Sequence, residues 1–241
     1  MSPLTNQRHQ GADVTRVLDG FVDPDGRVYL PQHDSRLLCE LVRHARPMRG
    51  LRVADLCTGS GVAAIEASRL GAASVAAFDI STAAVRCAQT NAAAAGADVD
   101  VRLGTWPTAI ELGPFDVVAC NPPYVPRPAG GDLAEIPSAA GPARAYDAGV
   151  DGRLVLDPLC RAAPELLAED GTMLIVQSEF SDVDASLAIL RHGGLKASVV
   201  ARRWIPFGPV LNARAAWLEH TGLLKPGRRV EELVAIRADV P

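Results

Sequence analysis

Asn121-Pro122-Pro123-Tyr124 follows directly on the apolar run Phe115 to Cys120, and these four residues carry the groups needed to hold a planar amino group still. The Asn121 side-chain carbonyl and the free C=O of Pro122 can together accept both hydrogens of an –NH2, while the proline rings fix the backbone that aims the acceptors. Such a clamp presents the nitrogen to an electrophile. Tyr124 can flank the flat group by aromatic contact; a core position at a strand end is its ordinary alternative. An isolated Asn-Pro pair is most often a turn that closes a strand, so the tetrapeptide takes its meaning from what lies upstream.

There, Asp55-Leu56-Cys57-Thr58-Gly59-Ser60-Gly61 ends one apolar run and opens a helical pattern. The turn offers backbone N–H groups and two positions without side chains, Gly59 and Gly61, where a ligand can approach closely. Asp79 closes the second apolar run, where an acid can accept hydrogen bonds from the ribose hydroxyls of a nucleoside. Capping of the next helix is the structural alternative, although Ser81 and Thr82 serve that purpose equally well. Nicotinamide and S-adenosylmethionine cofactors both use such a frame. An acid inside the first loop, Asp55, is poorly placed beside a pyrophosphate but can help bind the cationic amino group of a methionine moiety. The clamp after the fourth run suits methyl transfer to nitrogen and has no role in hydride transfer, so methyl transfer is the preferred chemistry.

The elements that must position these groups alternate. Asp34 to Arg46 repeats apolar residues at Leu37, Leu38, Leu41 and Val42, which predicts an amphipathic helix with Asp34 or Ser35 as N-cap. Strands are expected at Val53 to Cys57, Ser74 to Phe78, Val99 to Leu103, Phe115 to Cys120, Thr172 to Gln177, Lys196 to Ala201 and Glu232 to Arg237. Helical patterns cover Gly61 to Leu70, Thr82 to Ala95, Leu154 to Leu167 and Asp182 to Arg191. This order implies an α/β fold: a Rossmann-like, seven-stranded, mostly parallel sheet with helices on both faces. Phe21 to Tyr29 reads as a short hairpin around a Pro-Asp-Gly turn. Two Gly/Pro-rich intervals, Val125 to Asp147 and Pro206 to Arg229, are too long for simple turns, and the first is well placed to cover a substrate.

The 241 residues fit one domain with a short N-terminal extension. We expect residues 1–48 to form that extension and a cofactor lid, and residues 49–241 the catalytic domain. Apolar residues at 48% and charged residues at 22% match an ordinary globular chain. Met1 to Gln10 lacks the apolar segment of a secretory signal, and no apolar run suggests a membrane span, so a cytoplasmic location without membrane contact is expected. The five cysteines are odd in number, widely spaced and set in apolar surroundings, which points to reduced core thiols. Cys and His spacing predicts no metal site. A net charge of −4 argues against a grip on long nucleic acid through its phosphates.

With DLCTGSG at 55–61, AFDIS at 77–81 and NPPY at 121–124 in this order, the chain resembles the class I S-adenosylmethionine-dependent methyltransferases. Among them it is most similar to the HemK/PrmC-type protein-glutamine methyltransferases that modify peptide-release factors. Val28 to Ser35 looks like the Pro-containing cofactor lid of the compact archaeal and eukaryotic branch, and Gly149 to Arg153 like that branch's approach to the next helix. The resemblance implies a cofactor set of Pro31, Asp34, Ser35, Asp55, Thr58, Gly59, Gly61, Asp79, Ile80, Thr105, Trp106 and Asn121. It implies a catalytic set of Asn121, Pro122 and Tyr124. It also implies a protein substrate such as a release factor, and a small zinc-binding activator that serves some relatives.

Departures are visible too. His33 stands where the branch carries an acid, and Gly104-Thr105-Trp106 replaces the commoner Gly-Asp pair, leaving adenine to backbone atoms and the Trp106 ring. Pro206 to Pro209 followed by Arg214 to Leu218 could form a second wall of the substrate groove or a surface helix on the sheet edge. The clamp also suits an adenine exocyclic amine or a small-molecule amine, which is the rival within enzymes. A degenerate binding module is the rival outside them.

Overall fold

The computed structural model describes residues 21–23 and 26–241. Helix α1 (His33–Ala45) precedes β1 (Arg52–Leu56), α2 (Val62–Arg69), β2 (Ser74–Asp79), α3 (Thr82–Ala94), β3 (Asp100–Leu103), α4 (Trp106–Leu112) and β4 (Phe115–Cys120). After the long loop come α5 (Leu156–Leu166), β5 (Leu167–Ser178), α6 (Val183–His192), β6 (Lys196–Pro206), α7 (Pro209–His220) and β7 (Val230–Asp239). The seven strands form one sheet in the order β3-β2-β1-β4-β5-β7-β6. Strands β1 to β5 pair in parallel, and β7 runs antiparallel to both β5 and β6. The expected seven-stranded, mostly parallel sheet is borne out.

Parallel strands with helices on both faces are buried on both sides and therefore read as continuous apolar runs. Val53, Ala54 and Leu56 of β1 and Val117, Val118, Ala119 and Cys120 of β4 show this, each at most 1% exposed. Helix α1 lays Leu37, Leu38 and Val42 into the same core, and truncating such a side chain to alanine typically costs about 2–5 kcal/mol. Four of the cysteines are buried and none of the five forms a disulfide among the described residues.

Strand order reverses between β1 and β4, because the chain runs from β1 outward to β2 and β3 and then returns to the other side of β1. Connections at the carboxyl ends of β1 and β4 therefore diverge, opening the crevice in which α/β sheets bind ligands. Leu56 pairs with Cys120 at that point, so Asp55 to Gly61 and Asn121 to Tyr124 leave the sheet side by side.

Several expectations need correction. The N-cap of α1 is Gln32, not Asp34 or Ser35; Asp34 lies inside the first turn, where its carboxylate has a different partner. No strand is present among residues 21–23 and 26–29, where a hairpin is expected; the Gly26 N–H bonds the Asp23 carbonyl at 3.3 Å. Pro24 and Asp25, and Met1 to Gln10, lie outside the described residues. Helices α4 and α7 are absent from the helical patterns expected from apolar periodicity, although a surface helix is one of the two readings of Arg214 to Leu218. In α7, Arg214 occupies the buried face beside Val210, Leu211, Ala215 and Leu218, interrupting the apolar period with a charge.

Candidate active site

A cavity of about 500 Å³ lies over the carboxyl ends of β1, β2 and β4. One end is built by the loop after β1. The Asp79 carboxylate, at the end of β2, accepts the Gly59 N–H at 3.0 Å through Oδ2 and the Ser81 N–H at 2.9 Å through Oδ1. Burial pushes its pKa up, and these N–H bonds oppose that shift. Ser81 is the N-cap of α3, its hydroxyl accepting the Ala84 N–H. The helix is thus capped without Asp79, whose oxygens retain lone pairs toward the cavity it lines. Ile80, 61% exposed, and Trp106, at the first position of α4, form apolar surfaces beside it.

Asp55 is 2% exposed, and its Oδ2 accepts the Thr58 hydroxyl at 2.6 Å and the Ala64 N–H at 3.1 Å, which locks the loop to the start of α2. Desolvation raises its pKa to about 7 against the pull of those two hydrogen bonds. A cation arriving in the cavity would lower it again.

The other end belongs to Asn121. Its Nδ2 donates to Asp34 Oδ2 at 2.9 Å, the Tyr124 hydroxyl donates to the same oxygen at 3.3 Å, and the Ser35 N–H donates to Asp34 Oδ1 at 2.7 Å. A carboxylate only accepts, so the amide nitrogen must face Asp34 and the amide oxygen must point away. That oxygen, Asn121 Oδ1, is buried and has no hydrogen-bond partner among the described residues. An orphaned buried acceptor costs about 1–3 kcal/mol, and here it waits in the wall of a cavity. Burial and the neighbouring Asp34 push the Tyr124 phenol well above its ordinary pKa, so it remains a donor at any physiological pH.

Of the residues singled out in the sequence, Asp34, Ser35, Asp55, Thr58, Gly59, Asp79, Ile80, Thr105, Trp106, Asn121 and Tyr124 line this cavity. Pro31, Gly61 and Pro122 are not among its lining residues. Gly61 instead holds φ +85° at the N-cap of α2, where a Cβ would sit 3.1 Å from Ala88 Cβ; its part is close packing of two helices. Pro122 is buried behind Asn121, and Pro123 supplies the lining instead.

The interval 125–147 does cover the site: Ala140 and residues 142–147 line the cavity. Val125 forms an isolated parallel bridge with Asp147, and Arg214 of α7 clamps the loop from below. The Arg214 guanidinium, 2% exposed, donates to Asp132 Oδ1 at 2.6 Å and to the Pro126 carbonyl at 2.9 Å, and lies 5.5 Å from the Tyr146 ring. Residues 208–211, from Gly208 to Leu211, complete the wall, whereas Arg214 to Leu218 lie further along the same helix and do not line the cavity. Its buried charge was the one available sequence signal for Arg214, since an arginine inside an apolar period is seldom accidental.

Comparison with known proteins agrees with this geometry. The family model described as ribosomal protein L11 methyltransferase (PrmA) matches residues 33–122. A release factor glutamine methyltransferase of Neisseria gonorrhoeae is 34% identical over 206 residues, covering 79% of this chain and 72% of that protein. The chain belongs to the release factor glutamine methyltransferase family. A second member, from Rhodospirillum rubrum, is 37% identical over 175 residues, and these cover 68% of this chain but only 51% of that protein. The chain thus spans about half the length of that relative. Among solved structures, the E. cuniculi Mtq2–Trm112 complex, whose description assigns it the methylation of the translation termination factor eRF1, superposes with a TM-score of 0.59 at 19% identity. That superposition covers 89% of this chain and 99% of that one, a likeness of fold. The HemK/PrmC-type resemblance read from the three motifs is therefore borne out, and in this member of the family those motifs converge on one cavity.

Proposed function

We propose that this chain is an S-adenosylmethionine-dependent methyltransferase that modifies a glutamine side-chain amide in a protein of the translation machinery, such as a release factor. The observation that carries the reading is the orphaned Asn121 Oδ1, an oriented acceptor on a residue that lines the same nucleoside-sized cavity as Asp79. The cofactor fits the residues present. Asp79 would take the ribose hydroxyls, Ile80, Thr105 and Trp106 the adenine, Gly59 the close backbone approach, and Asp55 the ammonium of the methionine moiety. When bound, it supplies a methyl group activated by a sulfonium.

Everything else falls to the chain. An amide nitrogen is a poor nucleophile because its lone pair is delocalised into the carbonyl, so orientation must compensate. Asn121 Oδ1 accepts one N–H of the substrate amide, while Pro122, buried next to it, fixes the backbone that aims this acceptor. Asp34 holds the Asn121 amide in the one rotation that leaves its oxygen free, and Tyr124 flanks the flat group. Charge that develops on the nitrogen meets acceptors already in place, and the nitrogen then sheds one proton to solvent or a nearby acceptor to leave the neutral N-methyl amide. The Pro31 and Ser35 assignments belong to the same reading, with residues 1–48 as extension and lid and residues 49–241 as catalytic domain. So do a cytoplasmic location and a small zinc-binding activator. The solved relative is itself a two-protein complex, and no helix among the described residues is long and apolar enough to cross a membrane.

The decisive experiment replaces Asn121 with alanine. Affinity for S-adenosylhomocysteine, measured by calorimetry, should be retained, while methyl transfer to a glutamine-containing acceptor falls by about a hundredfold or more. Unchanged turnover would refute the clamp. Labelled S-adenosylmethionine offered with separate pools of protein, nucleic acid and small metabolites tests the acceptor class: label confined to either of the latter two overturns the protein-glutamine reading.

A further inference from the structure

A smaller recess of about 200 Å³ adjoins the main cavity at its Asn121 end, and the two share Tyr29, Gln32, Asp34, Tyr124, Gly208 and Glu231 as walls. Glu231 is the second residue of β7 and pairs across the sheet with Ile205 of β6. It is 5% exposed, and its Oε2 is buried with no hydrogen-bond partner among the described residues. Nothing in the clamp uses it.

Its surroundings meet the charge only in part, and leave Oε2 without a donor among the described residues. Desolvation raises the Glu231 pKa to about 7, and the carboxylates of Asp34 and Glu179 add to the rise, while the Ser178 hydroxyl and Arg228 oppose it. Arg228 acts on Glu231 through its charge but makes no hydrogen bond to it, and its Nε is itself buried without a partner among the described residues. Its Nη1 bonds Glu179 Oε2 at 3.1 Å, and its guanidinium lies over the rings of Phe180 and Trp204, at 5.3 and 5.4 Å. Asp34 is already occupied by Asn121, Tyr124 and Ser35. The Asp34 and Glu231 carboxylates line the same recess and repel one another, and a neutral N–H would satisfy the orphan oxygen without relieving that repulsion. A cation bearing N–H donors does both.

We propose that this recess is a subsite for the ammonium or guanidinium of a basic side chain in the methyl-acceptor polypeptide, with Glu231 as its direct partner and Asp34 as a supporting charge. The proposal rests on the reading that a polypeptide enters at the Asn121 end of the cavity. Glu231 is on this view a specificity-determining residue: it selects acceptors with a positive charge near the methylated position and takes no part in the transfer itself.

The test separates the subsite from that reading. n-Butylammonium and ethylguanidinium are titrated, with binding followed by NMR, into the protein saturated with S-adenosylhomocysteine. Wild type should bind them, Glu231→Gln should bind about tenfold more weakly or worse, and Glu231→Asp should recover part of the loss. Affinity for S-adenosylhomocysteine, unchanged in both variants, certifies their fold. Equal cation affinity in wild type and Glu231→Gln, or no binding by wild type, overturns the subsite. In a second arm, paired glutamine peptides carry either Lys or norleucine at a position flanking the glutamine. A lower KM for the Lys peptide that disappears in Glu231→Gln, with kcat little changed, is the expected result. No preference for Lys at any flanking position in wild type overturns the proposal. Should the small cations bind through Glu231 while no glutamine peptide is methylated, the subsite stands and the acceptor reading falls.

Discussion

Asp34 and Asp79 act mainly through the groups they orient. Asp34 turns the Asn121 amide so that its nitrogen is spent and its oxygen is free, and Asp79 draws the Gly59 N–H to 3.0 Å, fixing the glycine turn at the wall of the cavity. Replacing Asp79 with alanine removes two charge-assisted hydrogen bonds as well as the ribose acceptor. Affinity for S-adenosylhomocysteine should fall by about ten- to a hundredfold, since hydrogen bonds to charged groups are worth about 1.5–3 kcal/mol. Calorimetry that returns the wild-type affinity would remove the ribose assignment. Asn121→Ala should leave the same measurement alone, so the two variants divide cofactor binding from acceptor binding.

At the scale of elements, the clamp depends on how closely the segment before α5 approaches it. Gly152 has φ +75°, and a Cβ there would lie 2.5 Å from the Tyr124 carbonyl and 3.0 Å from Ser181 Cβ. Neither the backbone oxygen nor the left-handed conformation can yield cheaply. Arg153 ties this turn down, its guanidinium donating to the Asp182 carbonyl at 2.6 Å and to Asp157 at 2.7 Å. Gly152→Ala should therefore lower stability by about 1–3 kcal/mol and reduce methyl transfer through displacement of Tyr124. Gly130→Ala, where a Cβ meets nothing within 4 Å, should stay within about 0.5 kcal/mol of wild type. Denaturant melts of the pair check this; equal stability would show that the Gly152 approach is slack.

For the whole molecule, Asp55 and Glu231 stand out as buried acids whose pKa values are raised to about 7. In the unfolded chain both titrate near the ordinary carboxylate value, so the folded state holds more protons between about pH 4 and 7. Their contribution favours folding in full below that range and is lost as pH rises through about 7. The ligand-free protein should accordingly melt several degrees lower at pH 8 than at pH 5.5. S-Adenosylhomocysteine brings an ammonium to Asp55 and should raise the melting temperature more at pH 8 than at pH 5.5. A thermal shift that is independent of pH would mean that Asp55 does not meet the cation.

The sequence by itself determined the alternation of elements, the order of the motifs and the chemistry those motifs could perform. These are local properties: apolar runs, glycine turns and a proline-fixed Asn are written in neighbouring residues. The sheet order, which sets the β1 and β4 loops side by side, was legible only as a class of fold. What the tertiary structure alone decided lies in contacts between distant residues. Arg214 reaches Asp132 across 82 positions, Asp34 reaches Asn121 across 87, and Glu231 faces Asp34 only because β7 inserts between β5 and β6. Gly61 changed its part for the same reason, since nothing near it in the chain shows that Ala88 packs against it. A free acceptor on Asn121 is likewise no property of the NPPY motif. It exists because a carboxylate from another element consumes the amide nitrogen and leaves the oxygen without a partner among the described residues.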